Sequence, residues 1–246
     1  MAEITTYALM VLAWFAGGVV GGATGVGSVM VAMPLTTVVL SPGDAVLVSC
    51  IVSLYASIHQ SLAYGRYLRW DDVKPLVVGT LPGCLLGVLV LKIAPVQVLE
   101  LMVCAMLVCF VTMQLSKRMA SWSVSAAPSI AMGTGAVFGF VSASVAMGGG
   151  PLAIYVMLRH WDPDRARANM SVLWIFTSVL TCAVQAGTGM YAFSHLKFGL
   201  IGILGTAMGQ YIGVWLGRRI DLVLFRRILL VFLSAAALIL FSKAVG

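Results

Sequence analysis

The sequence predicts an all-α polytopic membrane protein, because apolar residues dominate it and its few charges fall in short clusters. Of 246 residues, 61% are hydrophobic and 9% are charged, whereas a soluble domain carries roughly 25% charged residues. Most of the charge-free windows are about the ~20 residues that a helix needs to cross a bilayer. These windows are 4–43, 45–65, 75–91, 101–116, 119–158, 168–196, 198–217 and 228–242.

The composition also argues against several other classes of protein. The net charge of +7 comes from Lys and Arg residues that stand singly or in pairs at the ends of apolar runs, so we interpret them as headgroup anchors rather than a nucleic-acid site. The apolar amino-terminal run lacks a basic leader and is expected to remain in the protein. The five cysteines lack metal-ligand spacing, and we expect no cofactor. Most of the tryptophans are interpreted as interfacial residues: Trp14, Trp70, Trp122, Trp161 and Trp215.

Two of the charge-free windows are too long for one crossing. Windows 4–43 and 119–158 each contain 40 residues, which would make a helix of ~60 Å, about twice the hydrocarbon thickness. Each contains a glycine-rich segment, at 21–28 and 147–151, and glycine and proline cost about 1 and 3 kcal/mol in a helix interior. We therefore predict two broken, re-entrant helical hairpins.

The distribution of Lys and Arg supports this interpretation. If both long windows crossed once, these residues would divide 8 to 7 between the two sides, against the positive-inside tendency. If both fold back, the division is 12 to 3, but folding only the second hairpin gives the same result. Charge alone therefore leaves the first hairpin open. Only Lys92, Lys197 and Lys243 then face the periplasm, and the cytoplasmic residues are Arg66, Arg69, Lys74, Lys117, Arg118, Arg159, Arg165, Arg167, Arg218, Arg219, Arg226 and Arg227.

The two halves correspond weakly but in order. Pro42 matches Pro163, Lys74 matches Lys197, and glycines at 79, 83 and 87 match glycines at 202, 209 and 213. A hairpin plus three helices gives each half an odd number of crossings, which predicts two inverted structural repeats with both termini in the periplasm. The predicted first repeat is 1–118, with hairpin 5–40 and helices about 45–65, 73–92 and 97–116. A cytoplasmic linker follows at 119–127, and the second repeat is 128–246, with hairpin 128–159 and helices about 166–190, 197–217 and 224–243.

A resemblance to a known family rests on both glycine-rich segments. The runs 21–34 and 139–151, with the segment Arg165-Ala-Arg-Ala-Asn169, resemble the TauE/SafE family of sulfite exporters. The sequence departs from that pattern at Ser28, Val29, Ser144 and Ala146. The resemblance implies a multi-pass transporter of the bacterial inner membrane for small anions, including sulfite, sulfoacetate, taurine-derived and other organosulfonate or carboxylate compounds.

Both predicted breaks are candidate anion sites. A helix that starts inside the membrane presents unpaired backbone N–H groups and the positive end of its dipole. Glycine lets the backbone approach a ligand closely, and hydroxyl groups add hydrogen bonds. The alternative is that glycines serve helix packing, which we favour for Gly83, Gly87, Gly205, Gly209, Gly213 and Gly217. The predicted substrate-binding residues are Thr24, Gly25, Gly27, Ser28, Ser144, Gly148, Gly149 and Gly150.

Five polar residues complete the predicted site. His59, Gln60 and Gln185 lie within charge-free windows, where polar groups usually face the protein interior. His59 is a candidate to bind an anion or carry a proton, or only to hydrogen-bond between helices. Arg167 and Asn169 begin a helix, where they could draw an anion to the cytoplasmic mouth or anchor headgroups.

The leading hypothesis is therefore alternating-access transport of an anion bound between the two breaks. An anion channel or the membrane subunit of a larger complex remains an alternative function. Separately, the protein could assemble into a homo-oligomer. An intramembrane enzyme is disfavoured, since no His and Asp accompany Gly27-Ser28 at a recognisable spacing. No Asp or Glu lies deep in a window, so we expect no carboxylate-based ion relay.

Overall fold

The fold was analysed in a computed structural model that describes residues 2–25, 27–115, 123–125 and 127–217. Regular secondary structure in these ranges is entirely helical, and a single 3-10 turn at Gly65–Tyr67 separates α3 from α4. The helices are α1 (Ala2–Thr24), α2 (Ser28–Thr36), α3 (Pro42–Tyr64), α4 (Trp70–Ile93), α5 (Val96–Leu115), α6 (Pro128–Val145), α7 (Gly149–Leu158), α8 (Pro163–Gly187) and α9 (Phe193–Gly217).

Six helices within the described ranges are long and apolar enough to cross a bilayer: α1, α3, α4, α6, α8 and α9. The prediction of an all-helical polytopic membrane protein is therefore confirmed. The predicted last helix, about 224–243, lies outside the described residues. So do most of the linker 119–127 and the basic residues Lys117, Arg118, Arg218, Arg219, Arg226, Arg227 and Lys243.

Both long windows are interrupted where glycine-rich segments occur. Helix α1 ends at Thr24 and α2 begins at Ser28, with Gly25 and Gly27 at φ angles of 80° and 96°, which glycine adopts at no steric cost. The chain reverses here and α2 packs back on α1. A Cβ added to Gly17 of α1 would lie only 3.0 Å from the Cβ of Ala32 in α2. In the second half, α6 ends at Val145, and α7 begins at Gly149.

Two helix pairs pack with their backbones in close approach. Helix α1 runs along α9, and α4 runs along α6. A Cβ added to Gly205 would lie 2.6 Å from the Val11 carbonyl oxygen, and one added to Gly139 would lie 2.6 Å from the Thr80 carbonyl oxygen. Close approach through small residues is a common means of helix association in membranes. The packing interpretation of Gly83, Gly87, Gly205, Gly209 and Gly213 is confirmed by the same contacts.

Helices α3 and α8 pack against each other at the centre, while α3 also contacts α9 and α8 contacts α4. Both helices bury polar side chains, which face protein rather than lipid because an unpaired polar group in hydrocarbon costs several kcal/mol. On α3 these side chains are Ser49, Ser53, Ser57 and Gln60, and on α8 they include Thr177, Ser178, Thr181 and Gln185. The protein thus has a polar seam at its core, beside the two breaks.

Candidate functional site

The two helix breaks meet at one cavity, which we term the central cavity. Together with its open mouth it holds about 500 Å³ of space free of protein atoms. The first break contributes Gly25, Gly27, Ser28, Val29 and Met30, and the second contributes Ala146, Met147 and Gly149. The remaining walls are Val52, Ser53, Ala56, Ser57 and Gln60 of α3, Trp174 of α8, Trp14 of α1 and Thr206 of α9.

The amino termini of α2 and α7 both open onto this cavity without a side-chain cap. The residues preceding these helices are Gly27 and Gly148, which have no side chain that could cap the first amides. In α2 the first helical hydrogen bond joins Val31 N to Gly27 O at 3.2 Å, so the amides of residues 28–30 precede the helical ladder. In α7 the corresponding bond joins Leu152 N to Gly148 O at 3.4 Å, Gly150 N donates to Met147 O at 3.5 Å and Pro151 has no N–H, so the Gly149 amide is the one that precedes the ladder here. Two partial positive charges therefore meet at one space.

The described side chains that line the central cavity are uncharged, and they combine apolar residues such as Val29, Met30, Val52 and Met147 with polar and aromatic ones. The Ser57 hydroxyl donates to Ser53 O at 2.6 Å, and Gln60 Nε2 donates to Gly21 O at 3.0 Å, tying α3 to α1. Trp14 is only 1% exposed, and its Nε1 has no hydrogen-bond partner among the described residues. Since indole nitrogen is a donor only, this wall of the cavity lacks an acceptor.

The cavity brings together five of the predicted site residues, Gly25, Gly27, Ser28, Gly149 and Gln60. Four others lie beside it without appearing in its lining. The hydroxyls of Thr24 and Ser144 donate to the carbonyl oxygens of Val20 and Phe140, at 2.8 and 2.7 Å. Gly148 precedes α7 and packs against the Ser142 side chain, and Gly150 lies in the first turn of α7.

His59 and Gln185 lie away from the central cavity. His59 is on the exposed side of α3, with its ring stacked on Tyr55 at a centroid distance of 6.5 Å. Gln185 is buried near the end of α8, where its Oε1 accepts a 2.9 Å hydrogen bond from the Tyr191 hydroxyl. Burial raises the pKa of Tyr191 well above its usual range, so the hydroxyl stays protonated and remains a donor.

Arg167 supports the first break from outside the central cavity. Its guanidinium donates to Ala23 O at 3.2 Å, at the carboxyl end of α1, and pairs with Asp164 at 3.3 Å. A cation is favourable at that end of a helix dipole. A Cβ added to Gly25 would lie 2.6 Å from Arg167 Cγ. Arg167 also lines a polar outer cavity, together with Gly22, Ala23, Ala63, Tyr64, Arg66, Tyr67, Asp164 and Val214.

Asn169 joins the amino-terminal ends of α8 and α4. Its Nδ2 donates to Asp72 Oδ2 at 3.2 Å, and its Oδ1 accepts from Arg69 N at 2.9 Å. The same Asp72 oxygen accepts from Arg165 at 2.6 and 3.0 Å. Asn169 is thus part of an inter-helix cluster rather than of the cavity lining.

Loss of the Asp72 carboxylate is expected to destabilise the protein. Asp72→Asn removes a partly buried charge-assisted contact with Arg165, and hydrogen bonds to charged groups contribute about 1.5–3 kcal/mol. We expect a lower melting temperature in detergent. In a double-mutant cycle with Arg165→Gln, the two losses should be less than additive; full additivity would show that the pair contributes nothing.

A second inter-helix pair joins the amino-terminal ends of α3 and α9. His195 Nε2 lies 2.9 Å from Asp44 Oδ1, and His195 Nδ1 accepts from Ala192 N at 2.8 Å. Because Nδ1 is an acceptor here, Nε2 carries the proton and donates to Asp44. The Asp44 pair therefore joins the central helix α3 to α9, and the Asp72 pair joins the central helix α8 to α4.

Sequence reasoning missed several walls of the cavity. The side chains of Trp14 and Trp161 are buried within the protein, at 1% and 8% exposure, and their position near the membrane interfaces stays a prediction. Trp70 and Trp215 are half exposed, and Trp122 lies outside the described residues. Ser53 and Ser57, spaced four residues apart before Gln60, give a signal for one polar face of α3. Nothing local marks Thr206, which reaches the cavity through the packing of α9 on α1.

The part of the chain that the structure describes is helical, with six potential membrane crossings and an internal cavity at two helix breaks, which is the architecture of a polytopic membrane protein. The family model described as Sulfite exporter TauE/SafE matches residues 10–240 of the chain. The chain therefore belongs to the TauE/SafE sulfite exporter family, which is a family of transporters rather than enzymes. Neither the curated proteins nor the solved structures contain a significant match to it.

Proposed function

We propose that this protein transports a small sulfur-containing anion across the bacterial inner membrane and binds it in the central cavity. The observation that carries this proposal is the meeting of two uncapped helix amino termini at one space, and the described residues that line this space carry no charge. Backbone amides and helix dipoles suit a small oxyanion without an arginine or lysine. Sulfite, sulfoacetate and related organosulfonates or carboxylates have such oxygens.

The unpartnered donor of Trp14 supports an anionic ligand over a cationic one. A buried donor without an acceptor costs about 1–3 kcal/mol; Trp14 lines the cavity, and its buried Nε1 has no partner among the described residues. An oxyanion held by the amides of α2 and α7 would supply the missing acceptor. A cation at the same place would face the amides of α2, the amide of α7 and the indole N–H of Trp14, all of which are donors.

Transport by alternating access is supported by the way the two halves exchange partners. Helix α1 of the first half packs along α9 of the second, and α6 of the second half packs along α4 of the first. The matching roles of α1 with α6 and α4 with α9 favour two inverted repeats with re-entrant hairpins, which could rock around a central site. An odd number of crossings per repeat would leave both termini in the periplasm.

The outer cavity is proposed as the cytoplasmic entrance. It carries Arg66 and Arg167, and the Arg159 and Arg165 side chains gather around Asp72 at the start of α4. Such a concentration of basic residues is typical of a cytoplasmic face. It would also raise the local concentration of anions near the central cavity.

Replacing the indole donor tests the proposed binding site. Trp14→Phe removes Nε1 but keeps an aromatic wall, so we expect sulfite affinity to fall about tenfold, corresponding to about 1.4 kcal/mol. The melting temperature of the unliganded protein is expected to fall, because Trp14 is 1% exposed within the core and a smaller ring leaves space there, so affinities are compared at a temperature at which both variants are folded. The half-exposed Trp70 provides the control variant Trp70→Phe. Binding is measured by isothermal titration, and saturable flux into liposomes distinguishes a transporter from a channel.

If Trp14→Phe binds and transports sulfite as well as the unmodified protein does, the anion does not meet the indole nitrogen. If the unmodified protein binds none of sulfite, sulfoacetate, isethionate and thiosulfate, the proposed substrate class is wrong.

A further inference from the structure

A second, smaller cavity adjoins the central one on the side of the second half. It is lined by hydroxyl-bearing residues of three helices, and we term it the hydroxyl cavity. With its mouth it holds about 230 Å³ of space free of protein atoms, and Ser53, Ala146 and Trp174 line both cavities. Its other walls are Ser49, Cys50, Ser142, Thr177, Ser178 and Thr181.

The hydroxyl groups turn acceptors toward this space. The Ser49 hydroxyl donates to Ala45 O at 2.6 Å, and the Thr177 hydroxyl donates to Leu173 O at 2.8 Å. With their protons committed to the helix backbone, these oxygens have only lone pairs left to offer. The central cavity has such hydroxyls as well, at Ser53 and Ser57, but it also receives the amino-terminal amides of α2.

Ser142 supplies an independent sign that this cavity takes a ligand. It is 4% exposed, lines the hydroxyl cavity, and its Oγ has no hydrogen-bond partner in the part of the chain that the structure describes. A buried hydroxyl without a partner is uncommon and calls for a water or an ion.

The carboxyl end of α6 also lies at this cavity, and its dipole has the opposite sign from the amino end of α7, whose preceding residue Gly148 packs on Ser142. Ser142 and Ala146 belong to the carboxyl end of α6, where the last helical hydrogen bond joins Ala146 N to Ser142 O at 3.0 Å. The carbonyl groups of residues 143–145 follow that bond and make this end partly negative. Hydroxyl oxygens beside such a helix end suit a hard cation.

We propose that the hydroxyl cavity binds one Na⁺ ion. A divalent cation is disfavoured because Mg²⁺ and Ca²⁺ sites draw on carboxylates, and none of the described residues that line this cavity carries one. The ion would be held by hydroxyl oxygens, with Ser142 Oγ among them. The proposal of a Na⁺ site does not need the central cavity to bind an anion.

If the proposed function holds, the two ligands are thermodynamically coupled. A cation and an anion in cavities that share Ser53, Ala146 and Trp174 attract each other across one layer of residues. Each should then raise the affinity for the other by the same factor, about 5-fold or more. The carboxylate-free coupling site would explain how an ion can be bound although no Asp or Glu lies deep in a charge-free window.

The first arm of the test measures Na⁺ binding without any candidate substrate. The melting temperature of the purified full chain is compared in NaCl, KCl and choline chloride at equal concentration, and we expect it to be higher in NaCl by roughly 2–4 °C. Ser142→Ala should abolish this rise without lowering the melting temperature in choline chloride. Ser129→Ala, at an exposed serine of the same helix, is the matched control and should retain the rise. No difference between the three salts, or a rise that persists in Ser142→Ala, overturns the Na⁺ site.

The second arm measures sulfite affinity in Na⁺ and in choline at constant ionic strength. Tighter sulfite binding in Na⁺, lost in Ser142→Ala, supports coupling. Sulfite binding that is equal in both salts overturns coupling but leaves the central site in place. A Na⁺ effect on melting with no sulfite binding in either salt overturns the proposed function instead.

Discussion

Ser28→Asp is expected to abolish anion binding and transport, and because Ser28 packs on Gly21 of α1, any loss of stability from the larger side chain should be shared by Ser28→Asn. Ser28 is the first residue of α2 and lines the central cavity. A carboxylate there would occupy the anion's position, and it is favourable for the helix because it complements the dipole. Two unit charges about 4 Å apart repel by roughly 4 kcal/mol at an effective dielectric constant of 20. The expected loss of sulfite affinity is therefore roughly a thousandfold.

Two control variants separate charge from size and from helix position. Ser28→Asn has nearly the same shape without the charge, and it should keep most of the affinity. Gly43→Asp places a carboxylate in the first turn of α3, where a Cβ has its nearest neighbour at 3.9 Å, and it should bind sulfite normally. Titration of all three with sulfite decides the matter. Binding by Ser28→Asp at ordinary affinity would mean that the anion does not sit at the start of α2.

Alanine at Gly135 and at Gly133 should have opposite effects on stability, although both glycines lie in α6. A Cβ at Gly135 would collide with the backbone carbonyl of Leu76 in α4, whereas a Cβ at Gly133 has no neighbour within 4 Å. We expect Gly135→Ala to destabilise the protein by about 1–3 kcal/mol or more, because the two backbones must separate. Gly133→Ala should stabilise it by about 0.5–1 kcal/mol, since alanine is the better helix former.

Melting temperatures of both variants in the same detergent measure this difference. Equal stability of Gly135→Ala and Gly133→Ala would contradict the close packing of α4 on α6. The pair also tests whether a membrane helix with many glycines uses each of them for contact, since only one of these two touches a neighbour.

The helices and their interruptions could be anticipated because the responsible signals are local. Glycines 25 and 27 take left-handed φ angles, and glycine-rich runs are costly in a helix interior. Proline 42 and proline 163 stand at the starts of α3 and α8, where proline is tolerated because its missing N–H is not needed. The division into two inverted repeats remains a prediction, since the last helix of the second repeat lies outside the described residues.

The walls of the central cavity were less predictable because they depend on contacts between distant segments. The sequence predicts Trp14 near a membrane interface. In the structure α9 covers that part of α1, and Gly202 packs against the Trp14 ring. His59 is a candidate because ionisable groups are rare in apolar windows. The rotation of α3 places His59 on the exposed side of the helix and Gln60 on the buried side. One residue of sequence turns a helix by about 100°, which a single sequence without a fixed phase does not reveal.

The position of Arg167 differs from both roles that the sequence suggests for it. The sequence predicts that Arg167 draws an anion to the cytoplasmic mouth or anchors headgroups, whereas its side chain donates to Ala23 O and packs on Gly25. The contact links the start of α8 to the end of α1, 144 residues apart. Any direct contact of Arg167 with the anion remains a prediction.

The most direct test of the central claim is the position of a bound anion. Selenite has the shape and charge of sulfite and scatters X-rays anomalously, so a crystal of the protein soaked in selenite reports where the anion sits. We expect an anomalous peak in the central cavity, within hydrogen-bonding distance of the amides that begin α2 and α7. A peak confined to the outer cavity beside Arg66 would contradict binding between the two helix breaks.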